Sequence, residues 1–162
     1  MYAAATADHR GATVHHHSWS QKPPNYLEPE IEPWVREEIT PLLDTVGGTP
    51  LLIAKSLGTN AAALAAERSL PAVWLTPVLT TPWIPTALSR ATAPFLLVGG
   101  TADSMWDSAA ARSLTPHVLE IEAANHGLFV PGPVQNSIAV LGRVAVTIDE
   151  FLDTINWPGH TT

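Results

Sequence analysis

The sequence predicts an α/β fold, a mostly parallel sheet with helices on both faces in a three-layer sandwich, and three observations predict it. Short apolar runs recur at Leu51–Ala54, Ala72–Leu79 and Phe95–Val98, as in strands buried on both faces. Alanine-rich or amphipathic stretches of helical spacing lie between them. The regular alternation of the two kinds is that of strand–helix–strand crossover units.

Composition supports one folded domain spanning 1–162. A chain of 162 residues with 46% hydrophobic and 14% charged residues has ample core material and a thinly charged surface. The 15 prolines are scattered at segment ends such as Pro50, Pro71, Pro94 and Pro133, where they punctuate a folded chain. A formal charge of −7, with no basic cluster, argues against nucleic acid as a partner. The absence of cysteine removes disulfides, thiolate metal sites and a cysteine nucleophile, and suits a reducing cytoplasm. No apolar stretch approaches the ~20 residues of a membrane helix, and the start has no signal-peptide pattern, so a soluble cytoplasmic protein is expected.

Taken in order, Ala12–Trp19 carries β-branched and ring residues and is predicted as a strand. Ile31, Trp34, Val35, Ile39 and Leu42 recur at helical spacing, with Pro33 suited to a first turn and Pro41 expected to kink or end the helix. After Gly47 and Gly48 comes the strand Leu51–Ala54, followed by an alanine-rich helix over Thr59–Arg68. The run Ala72–Leu79 is the next strand. Thr80–Thr92 is an irregular connection with a helical turn near Ala87–Arg90. Phe95–Val98 is a strand ended by Gly99 and Gly100, Asp107–Leu114 a short helix and Val118–Ala124 a strand. Val134 to Ile155 forms a long amphipathic helix, with residues 157–162 as a tail.

In open sheets of this kind chemistry lies beyond the carboxyl ends of the strands, so the residues just after Ala54, Val98 and Ala124 are the candidates. Beyond Ala54 stands Lys55-Ser56-Leu57-Gly58, with small residues two before and two after the serine. A nucleophile on a sharp strand-to-helix turn needs that spacing to avoid collision. Beyond Val98 stands Gly99-Gly100-Thr101-Ala102-Asp103, and beyond Ala124 stands Asn125-His126-Gly127. Each residue also has an ordinary reading. Ser56 could be a helix N-cap, Asp103 a loop cap with Asp107 as rival for any acid role, and His126 a loop histidine.

With the order Ser, Asp, His at successive strand ends, the chain resembles the α/β-hydrolase family from Ala12 to Ile155. The resemblance implies Ser56 as nucleophile, His126 as base, Asp103 as the acid that orients it and the Leu57 N–H as an oxyanion donor. It implies a serine hydrolase of carboxylesterase or thioesterase type, acting on a small acyl substrate without metal or organic cofactor. Family members take a second oxyanion donor from a loop after an earlier strand, which lies between the counterparts of Ala12–Trp19 and Leu51–Ala54. In this comparison Met1–Gly11 resembles the remnant of the helix that follows that strand. A truncated sheet with a gap is therefore expected, with weak activity. Three outcomes are open: the flanking strands close up, a second copy of the chain in a homodimer or another partner fills the gap, or the chain is a shortened version of a longer gene product.

The remaining candidates are peripheral. Lys55 is expected to point away from Ser56 as a solvent-facing or substrate-edge cation, and Trp83 and Trp106 to wall an acyl pocket. Trp74 reads as core. Of His15, His16 and His17, neighbours in a strand face opposite sides, so at most His15 and His17 could share an ion, and a surface or structural role is favoured. A nucleotide-binding reading of Gly99-Gly100 lacks the required glycine spacing. A non-catalytic binding or assembly module is the alternative from a different class.

Overall fold

The computed structural model describes residues 2–25 and 27–159, so Met1 of the expected helix remnant and residues 160–162 of the expected tail lie outside the described residues. Helices α1 (Tyr2–His9) and α2 (Ile31–Thr45) come first, then strand β1 (Leu52–Lys55). A 3-10 helix over Ser56–Ala61 runs directly into α3 (Ala62–Glu67). Then follow β2 (Ala72–Leu75), α4 (Trp83–Leu88), β3 (Phe95–Gly100), α5 (Ser108–Leu114), β4 (Val118–Ile121) and α6 (Val134–Thr154). The four strands form one parallel sheet in the order β1-β2-β3-β4. The fold class predicted from the alternating runs is the one observed.

Strand alternation divides the core into two layers. Ala72, Trp74, Phe95 and Leu97 face α2, α3, α4 and α5, while Val73, Leu75, Leu96 and Val98 face α1 and α6. Helix α6 buries Val140, Val144, Ile148, Phe151 and Leu152 on its sheet side. Helix α1 is held beside it by Arg10, whose guanidinium meets Asp149 and Asp153 at 2.7 Å each.

Several expectations are corrected. Ala12–Trp19 forms no strand, because a strand needs a neighbour and no ladder connects it to β1. Between that segment and β1 runs a cavity of about 680 Å³, the expected gap, left open. Pro41 does not end α2, which continues to Thr45. Its ring is exposed while Ile39 and Leu43 on either side are buried, and this packing overrides the lost N–H.

The strand expected over Ala72–Leu79 stops at Leu75, because Thr76 takes a φ of 43° and turns the chain away. The expected turn at Ala87–Arg90 is instead the helix Trp83–Leu88. The strand at Val118 ends at Ile121 rather than Ala124. Gly99 and Gly100 do not end β3 but belong to it. A Cβ at Gly99 would lie 2.0 Å from the Trp106 ring, and one at Gly100 would lie 2.1 Å from the Ala124 carbonyl oxygen. These glycines permit close approach rather than a stop. Finally, β1 is only half-buried, as an edge strand must be.

Candidate active site

Ser56 is the first residue after β1, where the chain turns straight into the 3-10 helix. Its φ of 51° lies in the left-handed region, unusual for a residue with a side chain and a form of local strain that clusters at functional sites. The turn is tight enough that a Cβ on Gly58 would stand 3.0 Å from the Cβ of Ala54, which explains the small residues flanking the serine. Behind the turn, the Thr59 hydroxyl donates to the Ser56 carbonyl, and the Asn60 amide donates to the Leu57 carbonyl at 2.8 Å. The Leu57 N–H lies in the first turn, where helix geometry supplies no intrahelical acceptor.

Across the sheet end, His126 Nε2 lies 2.7 Å from Ser56 Oγ, and His126 Nδ1 lies 2.7 Å from Asp103 Oδ2. The structure therefore brings Ser56, His126 and Asp103 into one hydrogen-bonded line. Asp103 is 5% exposed, and its other oxygen accepts the Met105 N–H at 2.9 Å, so the carboxylate is fixed from two directions. Asp107, the rival acid, is occupied as the N-cap of α5, accepting from the Ala109 and Ala110 N–H groups at 2.9 Å.

The loops bearing Asp103 and His126 are bonded to each other. The Ala102 N–H donates to the Ala124 carbonyl at 3.0 Å, and the Ala123 N–H to the Thr101 hydroxyl at 2.8 Å. Asn125 shapes the His126 turn by accepting from the Gly127 and Phe129 N–H groups at 2.9 and 3.1 Å. Asn60, Thr59, Thr101 and Asn125 were not singled out in the sequence. Only Asn125 carried a signal, as an Asn two residues before a glycine in a turn.

The peripheral candidates separate. Lys55 is exposed, but its ammonium donates to the His126 carbonyl at 3.1 Å, so it ties the β1 end to the histidine loop instead of standing free. Trp83 is half-buried and donates to Asn60 at 2.8 Å, which places it behind the serine turn. Trp106 is buried against Gly99 and donates to Glu120 at 2.7 Å, so it is a packing residue and not a pocket wall. Hydrogen bonds from Ser108 and Trp106, with Arg112 nearby, hold the Glu120 carboxyl below the usual carboxylate range. Trp74 is core, as expected.

His15 and His16 are exposed, and His17 stacks edge-on to Trp19 with Nε2 3.3 Å from Glu38. Ser20 hydrogen bonds hold the Glu38 carboxyl below its ordinary range. The cavity beside β1 is lined by Ala54, Lys55 and Gly58 but not by Ser56, His126, Trp83 or Trp106, so it runs beneath the serine turn rather than opening on it. Among the described residues no helix is long and apolar enough to cross a membrane.

No protein-family model matches the chain, and no curated protein matches it in sequence. Solved structures do. An alpha/beta serine hydrolase homologue from Coxiella burnetii superposes with a TM-score of 0.65 at 15% identity, covering 93% of this chain and 74% of its own. Alpha/beta hydrolase domain-containing protein 10 from mouse gives 0.58 at 16% identity, covering 95% and 84%. A YdeN-like hydrolase from Pectobacterium atrosepticum gives 0.52 at 18%, covering 85% and 75%. The chain has the α/β-hydrolase fold.

Proposed function

We propose that this α/β-hydrolase-fold chain is a serine hydrolase of carboxylesterase or thioesterase type that works through an acyl-enzyme on Ser56. The observation that carries the reading is the line from the strained Ser56 hydroxyl through His126 to the buried Asp103, with 2.7 Å at each step. Ser56 Oγ attacks the acyl carbon as its proton passes to His126 Nε2. Asp103 accepts the Nδ1–H and stabilises the imidazolium. The Leu57 N–H receives the developing oxyanion. On collapse the bond to the leaving oxygen or sulfur breaks, and that atom takes the proton from Nε2. Water then attacks the acyl-enzyme, giving its proton to the same nitrogen; the acyl–Oγ bond breaks, Ser56 Oγ takes that proton back from Nε2, and the acid is released.

Leu57 is the single oxyanion donor assigned, and one missing donor costs ~10²–10³ in rate, so slow turnover is expected. The connection between β2 and β3 holds only α4 and leaves the site uncapped, which suits small or extended acyl groups. The test is labelling of the purified protein with a fluorophosphonate. Wild type is expected to label and Ser56→Ala not to. A folded wild type that never labels overturns the reading.

The open cavity along β1 favours a second reading, a catalytically silent binding or assembly module. Ser56-dependent hydrolysis of p-nitrophenyl acetate would remove it.

A further inference from the structure

The loop that carries His126 also carries an exposed apolar ring. Phe129 is 58% exposed and lies against the backbone of Gly127, where a Cβ would stand 2.8 Å from its Cδ2. The backbone presenting that ring is fixed by its own loop. Asn125 accepts the Gly127 and Phe129 N–H groups through its side chain, and its N–H donates to the Phe129 carbonyl at 2.9 Å. Little backbone ordering is left for a ligand to impose.

The same loop is bonded to the first turn of α6. The Val130 N–H donates to the Ser137 hydroxyl at 3.1 Å, and the Asn136 amide to the Pro131 carbonyl at 3.3 Å. Val134 and Ile138, each 60% exposed, stand four residues apart and share one face of that helix. Phe129, Val134 and Ile138 thus belong to one rim beside His126. Residues 127–142 include no charged side chain, so the rim offers apolar contact and no ion pair.

The chemistry of the triad says which part of a substrate meets it. His126 Nε2 takes the Ser56 proton and gives it to the leaving atom, so that atom must lie on the imidazole side of Ser56. The acyl group stays on Oγ, with its oxygen at the Leu57 N–H. Whatever is attached to the leaving atom is then carried out past His126, along Phe129.

Resting on the acyl-enzyme reading, we infer that Phe129, Val134 and Ile138 form a leaving-group subsite, and that the preferred substrate is a carboxylic ester of an apolar alcohol. A phosphate-bearing thiol carrier finds no cation on this rim, and Lys55 is taken up by the His126 carbonyl. An anionic lipid surface is disfavoured by the same lack of cations.

The test holds the acyl group constant and varies the alcohol, using dissolved esters. kcat/KM for hexyl acetate is expected to exceed that for ethyl acetate about tenfold, a part of what four methylenes would gain in a closed pocket. Phe129→Ser should bring that ratio below about threefold, and Ile138→Ser should lower it less. Val146→Ser, about three turns farther along α6 than Val134, should leave it as in wild type. The ratio of ethyl hexanoate to ethyl acetate should not respond to Phe129→Ser.

Ser56-dependent turnover without preference for the longer alcohol overturns the subsite and leaves the hydrolase standing. So does a ratio unmoved in both Phe129→Ser and Ile138→Ser, or an effect of Phe129→Ser on the acyl series instead. Binding to phosphatidylcholine vesicles that is lost in Phe129→Ser, with the alcohol ratio unchanged, also overturns it and assigns the rim to a membrane surface. No Ser56-dependent turnover of any ester, p-nitrophenyl acetate included, sinks the acyl-enzyme reading and the subsite with it.

Discussion

From Phe95 to Gly100 every residue of β3 is buried, whereas no residue of β1 is fully buried and Lys55 is exposed. The difference follows from neighbours. β3 has a strand on each side and a helix layer on each face, while β1 has β2 on one side and the open cavity on the other. The site straddles this divide. Asp103 follows β3, which has a strand on each side, His126 follows β4, which pairs with β3 alone and buries every second residue, and Ser56 follows β1, the least buried strand. The carboxylate and imidazole thus stand on the more buried side of the sheet, and the hydroxyl is delivered from its least buried strand.

The largest effect should fall on the more buried side. Asp103→Asn is expected to lower kcat for p-nitrophenyl acetate by ~10⁴, the scale seen when a triad acid becomes an amide. Asp107→Asn should leave turnover near wild type, and equal losses in the two would break the assignment. Next comes stability. Leu97→Ala, at a fully buried position in β3, should cost about 2–5 kcal/mol in urea denaturation. Leu52→Ala in β1 should cost less than half as much, and equal costs would mean that the edge is supported in solution.

Gly100→Ala forces a methyl against the Ala124 carbonyl and should cost about 1–3 kcal/mol by the same measurement. Asp107→Ala removes the α5 cap, at about 1 kcal/mol. The smallest effect is acid sensitivity at Glu120. Its carboxyl is held below the usual range, so its contribution is present above the unfolded value of about 4.3 and is lost as pH falls through the folded value. Melting at pH 6 and pH 3 should show wild type losing slightly more stability than Glu120→Gln, a small difference because the group is partly exposed.

Strand periodicity made the sheet legible, since Ala72-Val73-Trp74-Leu75 and Phe95-Leu96-Leu97-Val98 are apolar on both faces whatever surrounds them. The ends of the runs Leu51–Ala54, Phe95–Val98 and Val118–Ala124 then located Ser56, Asp103 and His126. Ala12–Trp19 misled because β-branched composition reports the tendency to pair and not the presence of a partner. Pro41 misled because local propensity is a weak prior against the burial of Ile39 and Leu43. Trp106 was illegible because its role depends on Gly99, seven positions earlier, giving up a side chain to receive the ring. Asn60 was hidden because its partners, Leu57 and Trp83, are joined only by the fold.

The stitching between the Thr101–Asp103 and Ala123–His126 loops has a thermal consequence. Two arms that share backbone bonds sway as one piece, so warming lengthens the gap between hydroxyl and imidazole before it disturbs the imidazole and its carboxylate. The link from Lys55 to the His126 carbonyl is a direct strap across that gap. Loss of turnover should therefore begin at a temperature where the fold is still whole, and cooling should restore it.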